Sequence, residues 1–253
     1  MSQPNKSLGR EARQISLPQI GIEGQEKLNK SVVVVIGMGG IGCIAASYLT
    51  SSGVGKIFIC DFDSIDRTNL GRQILYTEKD IGKEKVFCGR EKLIELNPKA
   101  NITAINERIN QTELSKIRGI ENAVFLDCTD NFSSRFEINR FAVENNSYLI
   151  TGSSIRFEGQ ICVFGNDYNQ SSCYECLYSF DDESLDDCSG GGVLNPIPGM
   201  IGSLMAIEAI KIITGNEINN SLKIYDGLSS EWKSVNILKN PKCQACGKIN
   251  SDF

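Results

Sequence analysis

Histidine is missing from this chain altogether. Its absence removes the commonest general base and the commonest metal-binding imidazole. Any metal must therefore be held by cysteine or carboxylate, and any reaction must run without imidazole. Long apolar runs are missing too. The longest, Val32 to Ile36, is far too short to cross a bilayer. The apolar stretch 197–213 carries Glu208 and Lys211 and reads as a packed helix. The first ten residues are polar with no apolar centre, which is not the pattern of a signal peptide. No basic tract stands out and the formal net charge is −5, which argues against nucleic acid as a partner. These absences place the protein in the cytoplasm, with neither a membrane nor a nucleic acid as its target.

Cysteine, by contrast, is plentiful, at ten residues. With no export signal the thiols point to metal binding or thiol chemistry rather than to a disulfide framework. Two C-x-x-C knuckles, Cys173-Tyr-Glu-Cys176 and Cys243-Gln-Ala-Cys246, fit a tetrahedral four-thiolate zinc site. Four thiolates leave no open coordination position, so the expected role is structural. A redox C-x-x-C is the competing reading, and it lacks a thioredoxin-like setting. Cys43, Cys60, Cys88, Cys128 and Cys162 fall in helix or strand patterns and read as small core residues. Cys188 lies in an acidic, glycine-rich stretch, 181–192, with no periodicity. It is a candidate nucleophile, although Asp186 and Asp187 beside it work against a low thiol pKa.

Strand and helix patterns alternate along the first ~150 residues, predicting a doubly wound, mostly parallel α/β sheet. Strands are expected at 31–36, 56–60, 102–105, 123–126 and 148–150, with helices at 43–52, 82–96 and 133–145. From residue 151 the pattern changes. Glu158-Gly159 reads as a hairpin turn between two runs, so antiparallel strands should extend the sheet. A helix at 200–214 and strand-like runs at 222–225 and 234–238 complete the chain. Without a repeat or a clear linker, 1–253 reads as one domain, with a nucleotide-binding half, 1–150, and a second half, 151–253.

Gly37, Gly39 and Gly42, with Gly40 between them, make G-x-G-x-x-G between a strand and a helix, the setting in which backbone amides approach phosphate oxygens. Asp61 closes the next strand, where a ribose hydroxyl partner belongs. A tight turn without a ligand is the plainer reading, and the motif alone does not separate NAD from ATP. Arg72, in Asn69-Leu-Gly-Arg-Gln73, and Lys85 would neutralise charge building on a triphosphate, a demand that a hydride-transfer site does not make. Each taken singly is an ordinary solvated charge. Asp130 and Asn131 follow the fourth strand; one reading caps the next helix, the other holds Mg²⁺ on the phosphates.

Taken together, these motifs resemble the ThiF/MoeB/HesA family, bacterial relatives of ubiquitin-activating enzymes. The resemblance runs from Arg10 to Gly247 and includes the opening Arg13-Gln-Ile-Ser-Leu-Pro-Gln, Gly37-Met-Gly-Gly-Ile-Gly42, Asp61-Phe-Asp63, Asn69-Leu-Gly-Arg-Gln73, Lys85, Cys128-Thr-Asp-Asn131 and both knuckles. It implies adenylation of the C-terminal Gly-Gly carboxylate of a ubiquitin-like sulfur carrier, ThiS-like or MoaD-like, with ATP, Mg²⁺ and structural Zn²⁺. By this resemblance Asn69, Arg72 and Lys85 steady the phosphates, Asp130 holds Mg²⁺, and Asp61 and Asp63 hold the ribose. Arg13 would reach the ATP site of a partner subunit, which implies a homodimer. Tyr225-Asp-Gly-Leu-Ser-Ser-Glu-Trp232 and the glycines after Cys188 look more like the ThiF branch, of thiazole synthesis, where the matching cysteine joins the carrier during sulfur transfer. One departure is Gly71, which stands where the family usually has glutamine and suggests a looser loop. No rhodanese segment is apparent, so sulfur is expected from another protein, a cysteine desulfurase or a rhodanese. The rival readings are activation of the molybdopterin carrier, an NAD(P)-dependent oxidoreductase, and a zinc-clipped scaffold without activity.

Overall fold

The computed structural model describes residues 9–178 and 192–247. Five parallel strands form first: β1 (Val32–Ile36), β2 (Lys56–Cys60), β3 (Ile102–Ile105), β4 (Val124–Asp127) and β5 (Leu149–Ile155). Three antiparallel strands follow, β6 (Glu158–Phe164), β7 (Ser221–Asp226) and β8 (Glu231–Asn236). One sheet contains all eight in the order β3-β2-β1-β4-β5-β6-β7-β8. The order reverses between β1 and β4, so the loops leaving these two strands diverge to opposite faces and open a crevice between them.

The parallel part of the sheet is covered on both faces, which explains the unbroken valine run of β1, whereas β8 is exposed along its length. Val33 and Val35 pack into one core with α2 (Gly21–Lys30), α3 (Gly40–Ser51), α4 (Lys85–Leu96) and α8 (Pro196–Thr214). Val34 and Ile36 pack into the other, with α5 (Gln111–Lys116), α6 (Phe132–Glu144) and α7 (Tyr174–Leu177). A strand buried on both sides has no polar face to alternate with. α1 (Ala12–Ile15) is a single turn ahead of α2. The apolar stretch with Glu208 and Lys211 is α8, which buries Ile201, Met205 and Ala209 against the sheet and pairs Lys211 with Glu208 at 2.8 Å.

Two expectations shift. Glu158-Gly159 is not the hairpin turn; both residues lie in β6, and the chain turns at Arg156-Phe157, with Arg156 at φ 52°. The glycine serves packing instead. A Cβ at Gly159 would stand 2.7 Å from the Ile201 side chain of α8, and one at Gly152 on β5 would collide with Met205. Glycine here marks a close approach of helix to sheet, which a turn pattern imitates. α4 begins at Lys85 rather than at Gly82. Residues 82–85 first run beside 63–65, with Gly82 N–H donating to Ile65 O, Ile65 N–H to Lys83 O and Lys85 N–H to Asp63 O. The short α5 carries too little periodicity to stand out in the sequence, although Asn110 caps it by accepting from Glu113 N–H.

Candidate functional site

A cavity of about 1000 Å³ lies at the C-terminal ends of β1 and β4. Its walls bring together Gly37, Gly39, Gly40, Asp61, Asp63 and Asn69 with Arg72, Gln73, Lys85, Asp130 and Asn131. Gly42 is not among them. Its Cα presses on the Gly37 carbonyl, where any Cβ would collide, so it serves helix–strand packing. Gly37 has φ 93°, a conformation that favours glycine. Arg13 is exposed on α1 and does not reach the cavity of its own chain. Cys188 lies outside the described residues.

Asp61 organises the loop from below. One carboxylate oxygen accepts from Met38 N–H at 2.7 Å and the other from Asp63 N–H at 2.8 Å. Loss of water pushes its pKa up, while nearby Lys85 pulls it back. Each oxygen keeps a lone pair for a ligand hydroxyl. Lys85 opens α4 and sends its ammonium, 6% exposed, to Asp63 Oδ2 at 2.7 Å. Its position depends on a residue that sequence reasoning missed. The buried Tyr76 hydroxyl shares its proton between the Met38 carbonyl at 3.2 Å and the Lys85 carbonyl at 3.1 Å, tying glycine loop to lysine.

Asp130 and Asn131 are adjacent in the chain but differently placed. The Asn131 side chain caps α6 by accepting from Ser134 N–H at 2.9 Å. Asp130 is exposed at the cavity wall. Asn69 Oδ1 accepts from Asp66 N–H in a reciprocal cap, and Arg72 Nη1 donates to Thr68 O at 3.1 Å. The loop around Gly71 is not open. The Asn195 side chain fills the space, and a Cβ at Gly71 would stand 2.9 Å from its amide. Asn195 is free to do this because α8 starts with prolines at positions 196 and 198, and Ile197 N–H already donates to Leu194 O.

Three features fit a nucleotide. The first turn of α3 has no side-chain cap, and its residues Gly40 and Ile41 line the cavity, where free helix-start amides suit a phosphate. Gln73 is buried, yet its Oε1 has no hydrogen-bond partner. Two cations, Arg72 and Lys85, share that wall. Asp130 offers a hard oxygen of the kind Mg²⁺ takes.

The second cluster lies on the α6 face. Cys173, Cys176, Cys243 and Cys246 hold their four sulfurs within 4.8 Å of one another, with Cys173–Cys243 at 3.6 Å and Cys176–Cys246 at 3.4 Å. A tetrahedron of thiolates about Zn²⁺ has edges of about 3.8 Å, so the donor set fits that ion. Further donors point at the sulfurs: Lys239 Nζ at 3.4 Å from Cys246, Asn240 N–H at 3.4 Å from Cys176 and Asn139 Nδ2 at 3.7 Å from Cys173. Lys239 carried no signal in the sequence, because nothing there places it beside a knuckle thiol. The five cysteines read as core residues are all buried. Burial pushes the Cys43 thiol up to about 12 and Cys88 up to about 11.

An uncapped helix start, two cations and a carboxylate at the switch point of a doubly wound sheet define a nucleotide-binding α/β protein. Its family is the ThiF family, to which the chain belongs, the match covering residues 11–245. The sulfur carrier protein ThiS adenylyltransferase of Escherichia coli (strain K12) is 40% identical over 244 residues, covering 96% of this chain and 96% of that protein. The molybdopterin-synthase adenylyltransferase of the same strain is 37% identical over 238 residues, 93% of this chain and 95% of that protein. The fold also matches Escherichia coli MccB in its crystal structure with ATP, with a TM-score of 0.84 at 24% identity over 96% of this chain and 75% of that one.

Proposed function

We propose that this chain is an ATP-dependent adenylyltransferase acting on the C-terminal Gly-Gly carboxylate of a ubiquitin-like sulfur carrier, ThiS-like in the first instance. The observation that carries this reading is the pairing of Lys85 and Arg72 with an uncapped helix start around one cavity. A carboxylate oxygen attacks the α-phosphorus of ATP, the bond to the pyrophosphate oxygen breaks, and acyl-AMP and pyrophosphate form. The attacking carboxylate is already ionised at neutral pH, so a chain without histidine lacks nothing that this step requires. The α3 amides and Arg72 bind the phosphates, Lys85 meets the charge that builds on them, and Asp61 with Asp63 holds the ribose. Bound Mg²⁺ adds charge neutralisation at the phosphates, with Asp130 holding it. Zn²⁺ in the four-cysteine cluster is structural.

The same reading makes the enzyme a cytoplasmic homodimer in which Arg13 reaches the partner's cavity. The second half of the chain, from residue 151, receives the carrier. Cys188 acts after adenylation, when a cysteine desulfurase or rhodanese delivers sulfur. Support for the ThiS branch comes from the Tyr225-to-Trp232 segment and the glycines after Cys188; the near-equal identity to the molybdopterin-synthase relative makes the MoaD-like carrier the alternative.

The test is carrier-dependent exchange of labelled pyrophosphate into ATP, with ThiS-like and MoaD-like carriers offered separately. Exchange with the ThiS-like carrier alone is expected, and exchange with the MoaD-like carrier alone reassigns the branch. No exchange with either, together with tight NADH binding, overturns adenylation. Cys188→Ser should exchange pyrophosphate normally and fail only in sulfur transfer.

A further inference from the structure

Arg135 has no part in the site as described, yet its guanidinium forms part of the cavity wall and is 7% exposed. It sits one turn into α6, where its own N–H donates to the Asn131 carbonyl. Nη2 donates to two carbonyls, that of Thr129 in the β4–α6 turn and that of Gly152 on β5, the latter at 2.9 Å. Its counter-charge is Asp127 at the end of β4, which is fully buried, with Oδ2 3.9 Å from Nη1 and making no hydrogen bond. The other Asp127 oxygen accepts from Thr129 N–H at 3.0 Å and from Thr129 Oγ1 at 2.6 Å. Thr129 is therefore held from both sides, its amide and hydroxyl by Asp127 and its carbonyl by Arg135. The next residue is Asp130.

We propose that Arg135 is a positioning residue: by gripping the Thr129 carbonyl against β5, it fixes the direction in which the Asp130 carboxylate faces the cavity. The inference rests on the adenylation reading and on Asp130 as the Mg²⁺ holder. Asp130 is exposed, and among the described residues its carboxylate meets Asn131 Nδ2 at 3.4 Å. Its aim is therefore set by the backbone turn beneath it. One nitrogen, Nη2, meets both carbonyls, and the planar guanidinium on its long stem fixes where that nitrogen lies; a lysine ammonium on a shorter, flexible stem is not held at the same point. Asp127 balances the buried charge, so the fork stays in place without drawing on the substrate's phosphates.

Arg135→Lys keeps the charge and loses the fork. In this variant the Mg²⁺ concentration for half-maximal pyrophosphate exchange should rise about tenfold, the scale on which supports of metal ligands act. Mn²⁺ binding to the protein with a non-hydrolysable ATP analogue, read from the EPR signal of free Mn²⁺, should weaken by the same factor. ATP binding in EDTA should stay near the wild-type value. Thr129→Val, which removes the hydroxyl bond to Asp127 and leaves the amide bond, should shift metal dependence the same way but less, and it serves if Arg135→Lys folds poorly. Folded variants with wild-type Mn²⁺ affinity and Mg²⁺ dependence overturn the positioning role. Asp130→Ala separates the two levels. If it abolishes exchange while the Arg135 and Thr129 variants keep wild-type metal dependence, only this inference falls. If Asp130→Ala itself exchanges normally, the Mg²⁺ assignment beneath it falls.

Discussion

The nucleotide cavity and the four-cysteine cluster are built on opposite plans. The cavity uses backbone: an uncapped α3 start, a glycine loop pinned by Asp61, and a turn held at Thr129. Its side chains come from loops that leave neighbouring parallel strands. The cysteine cluster takes its ligand atoms from side chains, joining two knuckles whose sulfurs pair across a separation of 70 residues. A site made from strand ends follows from the topology. One made by distant thiols must itself hold parts of the topology together. Loss of a cavity residue should thus cost rate, and loss of a knuckle thiol should cost stability.

The largest effect that tests this division is Lys85→Ala. It should slow pyrophosphate exchange by two to three orders of magnitude, about 3–4 kcal/mol of transition-state stabilisation, with melting temperature little changed; a normal rate removes Lys85 from the site. Next is Cys243→Ser, for which measured zinc content should fall. Stability should drop by roughly 3 kcal/mol if zinc is held at a hundredfold its dissociation constant, or about 6–12 °C in melting temperature. Unchanged melting with the metal gone would mean that the cluster clips nothing.

Smaller effects separate packing from chemistry. Gly152→Val forces a side chain into Met205 and Ile201 and should cost about 2 kcal/mol by overpacking, measured by denaturant unfolding. Asp80→Ala should cost about 1.5 kcal/mol at neutral pH. Against the desolvation of its burial, hydrogen bonds from Lys83 and Thr77 hold the Asp80 carboxyl well below its usual range. A lowered folded pKa contributes stability above the unfolded value of about 3.9 and loses it as pH falls further. The variant and the wild type should therefore converge in melting temperature below about pH 4, and a constant gap from pH 7 to pH 2 would assign the effect to packing.

Much of this was legible in the residues. The valine run, the glycine loop and Asp61 announce a strand, a turn and a second strand end, because each is a local property of the chain with a fixed period or spacing. The two knuckles were legible for a different reason: thiol pairs at that spacing have few other uses in a chain without an export signal. Less legible were Tyr76, Arg135 and Lys239. Each acts through contacts with backbone carbonyls or sulfurs six or more residues away, at spacings that share no helix or strand period. Gly159 misled, because a glycine required by the approach of α8 looks the same in sequence as one required by a turn.

The element types, the parallel-then-antiparallel order and the residue kinds available for chemistry could be read from the residues, since these follow from periodicity, turn propensity and donor chemistry along a short stretch. The tertiary structure was needed to show that Asn131 caps a helix while Asp130 does not, what fills the space at Gly71, and which buried side chains hold the site in place. The last two outcomes depend on distances between segments that the chain brings together only by burying both faces of one sheet.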